Sequence, residues 1–161
     1  MELDLDELRV LTGWAADCAE RVLPLTPDDP RPAAAIAAAR EFATGGPRTR
    51  ALRTAAWGAL AAAKAAAPAA AAAARAAVGA AGAAYLHPLE SPHQVKHIVG
   101  PAQQAALARE LAGGSAEAEI EWALSQAPPE VRVLLRKFPP GKPGKTRLGE
   151  LHRKLESALR A

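Results

Sequence analysis

Apolar side chains recur at helical spacing from the start of the chain. Leu8, Leu11, Ala15, Cys18 and Val22 come at intervals of three and four, which is one stripe along one helix. Asp4 with Glu7 three residues on reads as a capping box that starts it. The stripe places Cys18 in the core as a small hydrophobe rather than a nucleophile. Pro24, Pro27, Pro30 and Pro32 then make a stiff connector. Proline and glycine punctuate the next stretch: a second helix from Pro32 to Thr44, closed by Gly45-Gly46-Pro47, and a third from Arg48 to Ala67, broken by Pro68. A fourth runs from Ala69 to Leu86 and ends at His87-Pro88; its Gly79 and Gly82 share a face and predict close approach by another helix.

Ser91-Pro92-His93-Gln94 predicts a fifth start, with Ser91 as cap, Pro92 in the first position and Gln94 as the reciprocal partner. Val95, Ile98, Val99, Ala102 and Ala106 supply its buried face, and Gly100-Pro101 predicts a kink or break. Ser115 caps a sixth helix, Val131, Leu134, Leu135 and Phe138 mark a seventh, and Thr146 caps an eighth carrying Leu148, Leu151, Leu155 and Leu159. The expected core includes Leu8, Leu11, Trp14, Val22, Leu60, Val95, Ile98, Leu134, Leu135, Leu151 and Leu155. No β-branched alternating run occurs, and no 34- or 42-residue repeat. The expectation is all-α: one domain over residues 1–161, a bundle of seven to eight helices.

Composition sharpens this in one respect. Alanine fills 43 of the 161 positions, so the core is built from small side chains. Ala, Gly, Pro and Arg, all with GC-rich codons, make about half the chain and point to a high-GC, actinobacterial source. The one cysteine excludes an intrachain disulfide and fits a reducing compartment. No run of roughly 18 strongly apolar residues is present, and the acidic amphipathic start is unlike a signal peptide. The expected setting is the cytoplasm, with no membrane contact.

Charge is unevenly placed. Residues 1–30 carry eight acids and two bases, whereas residues 128–161 carry nine bases and three acids. Either the two ends attract each other within one fold, or the basic end is a footprint for an acidic partner or nucleic acid.

Two constellations carry candidate chemistry. His93 and His97 lie four apart on one helix face, with Lys96 between them and His87 close by in sequence. Two histidines at this spacing can begin a metal site, but no acid flanks them and no third or fourth ligand is evident. The remaining readings are a hydrogen-bonded polar seam against the end of the fourth helix, or a partner-binding surface. Arg50, Arg53, Trp57 and Lys64 fall along one side of the third helix. Basic groups around an aromatic grip nucleic acid or an acidic protein surface. They equally describe a buried Trp edged by arginine stems, and the need for core volume in an Ala-rich chain favours that reading. No phosphate loop, dinucleotide fingerprint, nucleophile elbow or poised carboxylate pair is present. Gly141-Lys142-Pro143-Gly144-Lys145-Thr146 lacks phosphate-loop spacing and reads as a linker.

Three segments together resemble a known family. Asp29-Pro30-Arg31-Pro32 leads into an Ala-rich helix; Ala51-Leu52-Arg53-Thr54-Ala55-Ala56-Trp57 leads into an Ala-rich hairpin; and Tyr85-Leu86-His87-Pro88-Leu89 leads to Gln94-Val95-Lys96-His97-Ile98-Val99-Gly100-Pro101-Ala102. Over about residues 5–112 the chain resembles actinobacterial immunity proteins with an immunity-five-like domain. That resemblance implies an all-α, non-enzymatic binding module without a cofactor, which neutralises a cognate polymorphic toxin by contact. Its expected contact residues are His87, His93, Lys96 and His97, with Arg50, Arg53 and Trp57 as further candidates. The alternatives are a nucleic-acid-binding protein using the basic 128–161 segment, and a His-based metal-dependent enzyme.

Overall fold

A computed structural model describes residues 1–161. The chain forms α1 (Leu5–Glu20), α2 (Arg31–Ala43), α3 (Arg50–Ala65), α4 (Pro68–Ala83), α5 (Val95–Leu111), α6 (Ala116–Gln126), α7 (Pro129–Arg136) and α8 (Arg147–Arg160), with short 3-10 turns at Leu23–Leu25 and Pro92–Gln94 and no strand. The helices form a single bundle. No helix is long and apolar enough to cross a membrane.

The helix starts obey local chemistry. Asp4 accepts the Asp6 amide while Glu7 reaches back to the Asp4 amide, so the capping box is complete. Ser115 accepts from the Ala118 amide and Thr146 from the Gly149 amide. Each cap satisfies an amide that lacks a partner in the first turn. Pro68 acts differently from the expectation. It opens α4 as its first residue, where the missing N–H costs nothing.

The bundle is organised around α4. That helix is apolar almost all round, and such a helix is stable only when enclosed. It buries nine alanines and packs against α1, α2, α3 and α5. Arg75, its one charged residue, points to solvent. Small side chains let the neighbouring helix backbones come close. At Gly79 the approach is tightest: a methyl group there would meet Pro101 Cγ at 3.0 Å. Gly82 has open space instead, so only one of the two glycines serves packing.

Pro101 does not break α5, contrary to expectation, and the helix continues through it to Leu111. A proline inside a helix removes one ladder bond, here the one to the His97 carbonyl, at roughly 3 kcal/mol. The Pro101 ring is buried against Gly79, and that packing offsets the loss.

One continuous core runs from Leu8 to Leu159 and takes in residues from every α-helix. Trp14 lies inside it and donates its indole N–H to the Ala123 carbonyl at 2.9 Å, tying α1 to α6. Cys18 is 1% exposed, as its stripe requires, and burial pushes its thiol pKa far up. Leu60 departs from the expected core. It is only half-buried, and Leu52 is the leucine that α3 buries.

Candidate functional site

Between α4 and α5 the chain turns through residues 84–94, stiffened by Pro88 and Pro92. Ser91 caps this turn, but its Oγ accepts the His93 amide at 3.2 Å rather than the Gln94 amide. The reason is the tighter 3-10 turn over Pro92–Gln94, in which the Gln94 amide bonds the Ser91 carbonyl. Gln94 is therefore not a reciprocal cap. Its buried side chain turns back, and Oε1 accepts the His87 amide at 3.2 Å. A polar seam does close the end of α4 against the start of α5, and Gln94 fills it instead of a histidine.

The imidazoles are thereby left on the surface. His87, His93, Lys96 and His97 are all exposed. They stand near enough to influence one another: His97 is held below the ordinary 6.5, first by partial burial and then by the charges of His87, Lys96 and His93. Lys96 and His93 border a hollow shared with Pro92 and with Lys142 from the loop before α8. No three His, Cys, Asp or Glu side chains come together in an arrangement that would hold a metal. The cluster is thus a patch of imidazole nitrogens around one positive charge, that of Lys96, with Lys142 beside it.

The second constellation lies on α3. Arg50, Arg53 and Lys64 are exposed, and Trp57 is 65% exposed, so the burial expected for this tryptophan is wrong. Leu52, Ala59, Ala62 and Ala63 make the buried face of α3, and Trp57 falls outside it. Arg53 stacks over the Tyr85 ring at 4.6 Å, and the Tyr85 hydroxyl donates to the Thr49 carbonyl at 3.0 Å. Of the seven candidate residues, His87, His93, Lys96 and His97 lie at or just before the start of α5 and Arg50, Arg53 and Trp57 lie on α3. Tyr85, two residues before His87, lies between them in sequence.

The basic end of the chain is largely answered within the fold. Lys137 reaches Glu7 at 2.9 Å, joining the two ends as opposite charges. Arg147 binds Glu110, Glu117 and Glu150, and Lys154 also binds Glu117. Hydrogen bonds from Lys154 and Arg147 hold Glu117 down at about 2. His152 and Glu156 form a buried pair at 2.8 Å, with Arg160 and the Gly141 amide on the same carboxylate. This pair is not among the candidates that the sequence suggests. Its signal there is the i, i+4 spacing of His152 and Glu156, each one residue beyond a buried leucine.

A family model described as "Imm-5 like putative immunity protein" matches residues 1–130, a span that takes in α1 to α6. No curated protein and no solved structure matches the chain.

Proposed function

The chain belongs to the Imm-5 like immunity protein family, and from that membership we propose that it neutralises a cognate toxin by direct protein–protein contact, without catalysis, in the cytoplasm of the producing cell. The observation that carries the contact surface is the exposed cluster of His87, His93, Lys96 and His97 at the start of α5. Gln94 meets the hydrogen-bonding needs of the turn beneath it, so the cluster is not required to hold the fold together. Pro88, Pro92 and the Ser91 cap keep the surface in one shape, which lowers the ordering cost of binding.

The test is co-expression with a candidate toxin, sought among the genes that flank this one. Wild type should restore growth. Lys96→Ala with His97→Ala should weaken toxin binding by more than tenfold, about 1.4 kcal/mol, with an unchanged melting temperature. Full binding by that variant, or a melting point several degrees lower, would remove the cluster from the interface.

A second reading rests on Trp57. A tryptophan 65% exposed between Arg50, Arg53 and Lys64 suits stacking and phosphate contacts with single-stranded nucleic acid. Salt-dependent retention of an oligonucleotide, lost in Trp57→Ala, would support it.

A further inference from the structure

An apolar hollow of about 340 Å³ opens between residues 25–32, which lead into α2, and the corner where α3 passes into α4. Leu25, Pro27 and Pro32 stand on one side, and every residue that α3, α4 and their corner contribute is alanine. The space follows from that composition. Ala62, Ala63 and Ala74 form a small buried group of their own, apart from the main core. At this end the two helices meet through methyl groups, and no larger side chain fills the gap. The two prolines stiffen the opposite wall.

Three polar side chains line the hollow: Thr26, Asp28 and Asp29. The Thr26 hydroxyl is committed to the Leu23 carbonyl at 2.9 Å, and Asp29 to Arg31 at 2.8 Å. Asp28 is exposed and makes no ion pair. The helices bring opposite dipole ends to the corner, which offset each other, so the sign of the site is that of Asp28. α3 also ends without a glycine or a side-chain cap. The Ala66 amide turns to the Ala63 carbonyl at 3.4 Å, and the carbonyls that remain in the last turn are further acceptors. No lysine, arginine or histidine lines the space.

Exposed carboxylates without a partner occur elsewhere, as at Glu121 on α6. What sets Asp28 apart is the alanine wall beside it. The two features together call for a group that is apolar along its length and cationic at its tip. A simple cation uses only the carboxylate, and an aliphatic side chain uses only the methyl groups. A lysine or arginine side chain uses both, laying its methylene stem on the alanines and bringing its head to Asp28. We propose that this hollow receives a long cationic side chain, lysine or arginine, of the partner protein. The assignment rests on the immunity reading for the identity of that partner. It adds the chemistry the partner presents, at residues separate from the histidine cluster and inside the matched span 1–130.

The experiment uses the full chain with the Nα-acetyl methylamides of lysine and arginine as probes, followed by NMR at neutral pH. Saturable shifts of the Ala62, Ala70 and Ala74 methyl groups are expected, and their absence with both probes would overturn the proposal. The norleucine analogue keeps the stem and lacks the charge; the ammonium ion keeps the charge and lacks the stem. Each should bind at least threefold more weakly than the lysine probe. Asp28→Asn should weaken the lysine probe at least threefold and leave the norleucine analogue unchanged. Ala70→Leu, which fills the hollow and changes no charge, should remove the shifts of the Ala62 and Ala74 methyl groups. Glu121→Gln should leave binding unchanged. An equal loss in Glu121→Gln would show diffuse attraction, and equal binding of the norleucine analogue would show a site for an apolar knob; either overturns the proposal. So would tighter binding of spermidine, which gives the hollow to a free amine. If Ala70→Leu lowers the melting point, Ala65→Leu on the α3 side reports in its place.

The toxin separates this assignment from the immunity reading. Should it bind wild type and Ala70→Leu alike, the hollow is wrong and the immunity role stands. Should it ignore wild type while the lysine probe still fills the hollow, the immunity role fails and the side-chain site stands.

Discussion

Trp14 and Trp57 show how far position outweighs residue type in this chain. Trp14 is 2% exposed and its N–H is answered by Ala123, so truncation opens a cavity and strands a carbonyl. Trp14→Ala should cost about 3–5 kcal/mol in urea unfolding. Trp57→Ala should change stability by no more than about 0.5 kcal/mol, because little is buried around it. His97 offers a second measurement at this scale. Its lowered pKa means that the folded state binds this proton less tightly than the unfolded chain does. Its contribution to stability is therefore present above about pH 6.5 and is lost as the pH falls through its folded value. NMR titration should place His97 below 6.5, and His87→Ala should move it upward. A value at or above 6.5 in wild type would mean that the His97 ring is neither partly buried nor close to the charges of His87, Lys96 and His93.

Among the helices, the α4–α5 contact gives the sharpest contrast. Alanine is worth about 1 kcal/mol over glycine inside a helix. At Gly82 nothing opposes that gain, so Gly82→Ala should raise the melting temperature. At Gly79 the new methyl presses on a proline ring that cannot turn aside, so Gly79→Ala should lower it. The reverse order would show that α4 and α5 do not meet closely at Pro101. The same pair of helices shows what the sequence discloses. Asp4, Ser115 and Thr146 are readable as caps because a cap and its amide lie within a few residues. The leucine stripes of α7 and α8 are readable because leucine there is surrounded by polar residues. The buried face of α3 is not, since alanine occupies both faces and leaves the period without contrast; Leu60 and Trp57 are misplaced for that reason. The histidine cluster lies within eleven residues and is visible. The alanine-walled hollow is not, because Asp28 and Pro32 stand far in sequence from Ala62 and Ala70.

For the molecule as a whole, the basic C-terminal segment is tied inward, by Lys137 to Glu7 in the acidic start and by Arg147 and Lys154 to Glu110 and Glu117 in the middle of the chain. Glu110 is held below its ordinary 4.5 by Arg147 and Glu117 by Lys154 and Arg147, while Glu156 is lowered, against the opposing effect of burial, first by the Gly141 amide and then by Arg160 and His152. Depressed carboxylate values stabilise the fold above about pH 4.5, and that stability drains as the pH falls toward 2. Thermal melts should therefore fall between about pH 4.5 and 2, with most of the loss coming from Glu156, the one buried carboxylate of the three, because the exposed pairs of Glu110 and Glu117 are screened by solvent. Glu156→Gln should flatten the acid limb while lowering the plateau at neutral pH, because Arg160 and His152 lose a charged partner. An acid limb identical to wild type would place the sensitivity elsewhere.

The burial of Cys18 turns the protein into its own reporter of opening. The thiol is the only one in the chain, is enclosed by the bundle, and has its ionisation suppressed while the fold is intact. A thiol-specific reagent can reach it only in molecules that have come apart around α1, so the labelling rate counts excursions too rare for spectroscopy to detect. At low reagent the rate reads the equilibrium between closed and open forms, and at saturating reagent it reads how fast the bundle opens. Toxin docked at the start of α5 would slow labelling in proportion to its hold on the closed form, although Cys18 sits on a different helix.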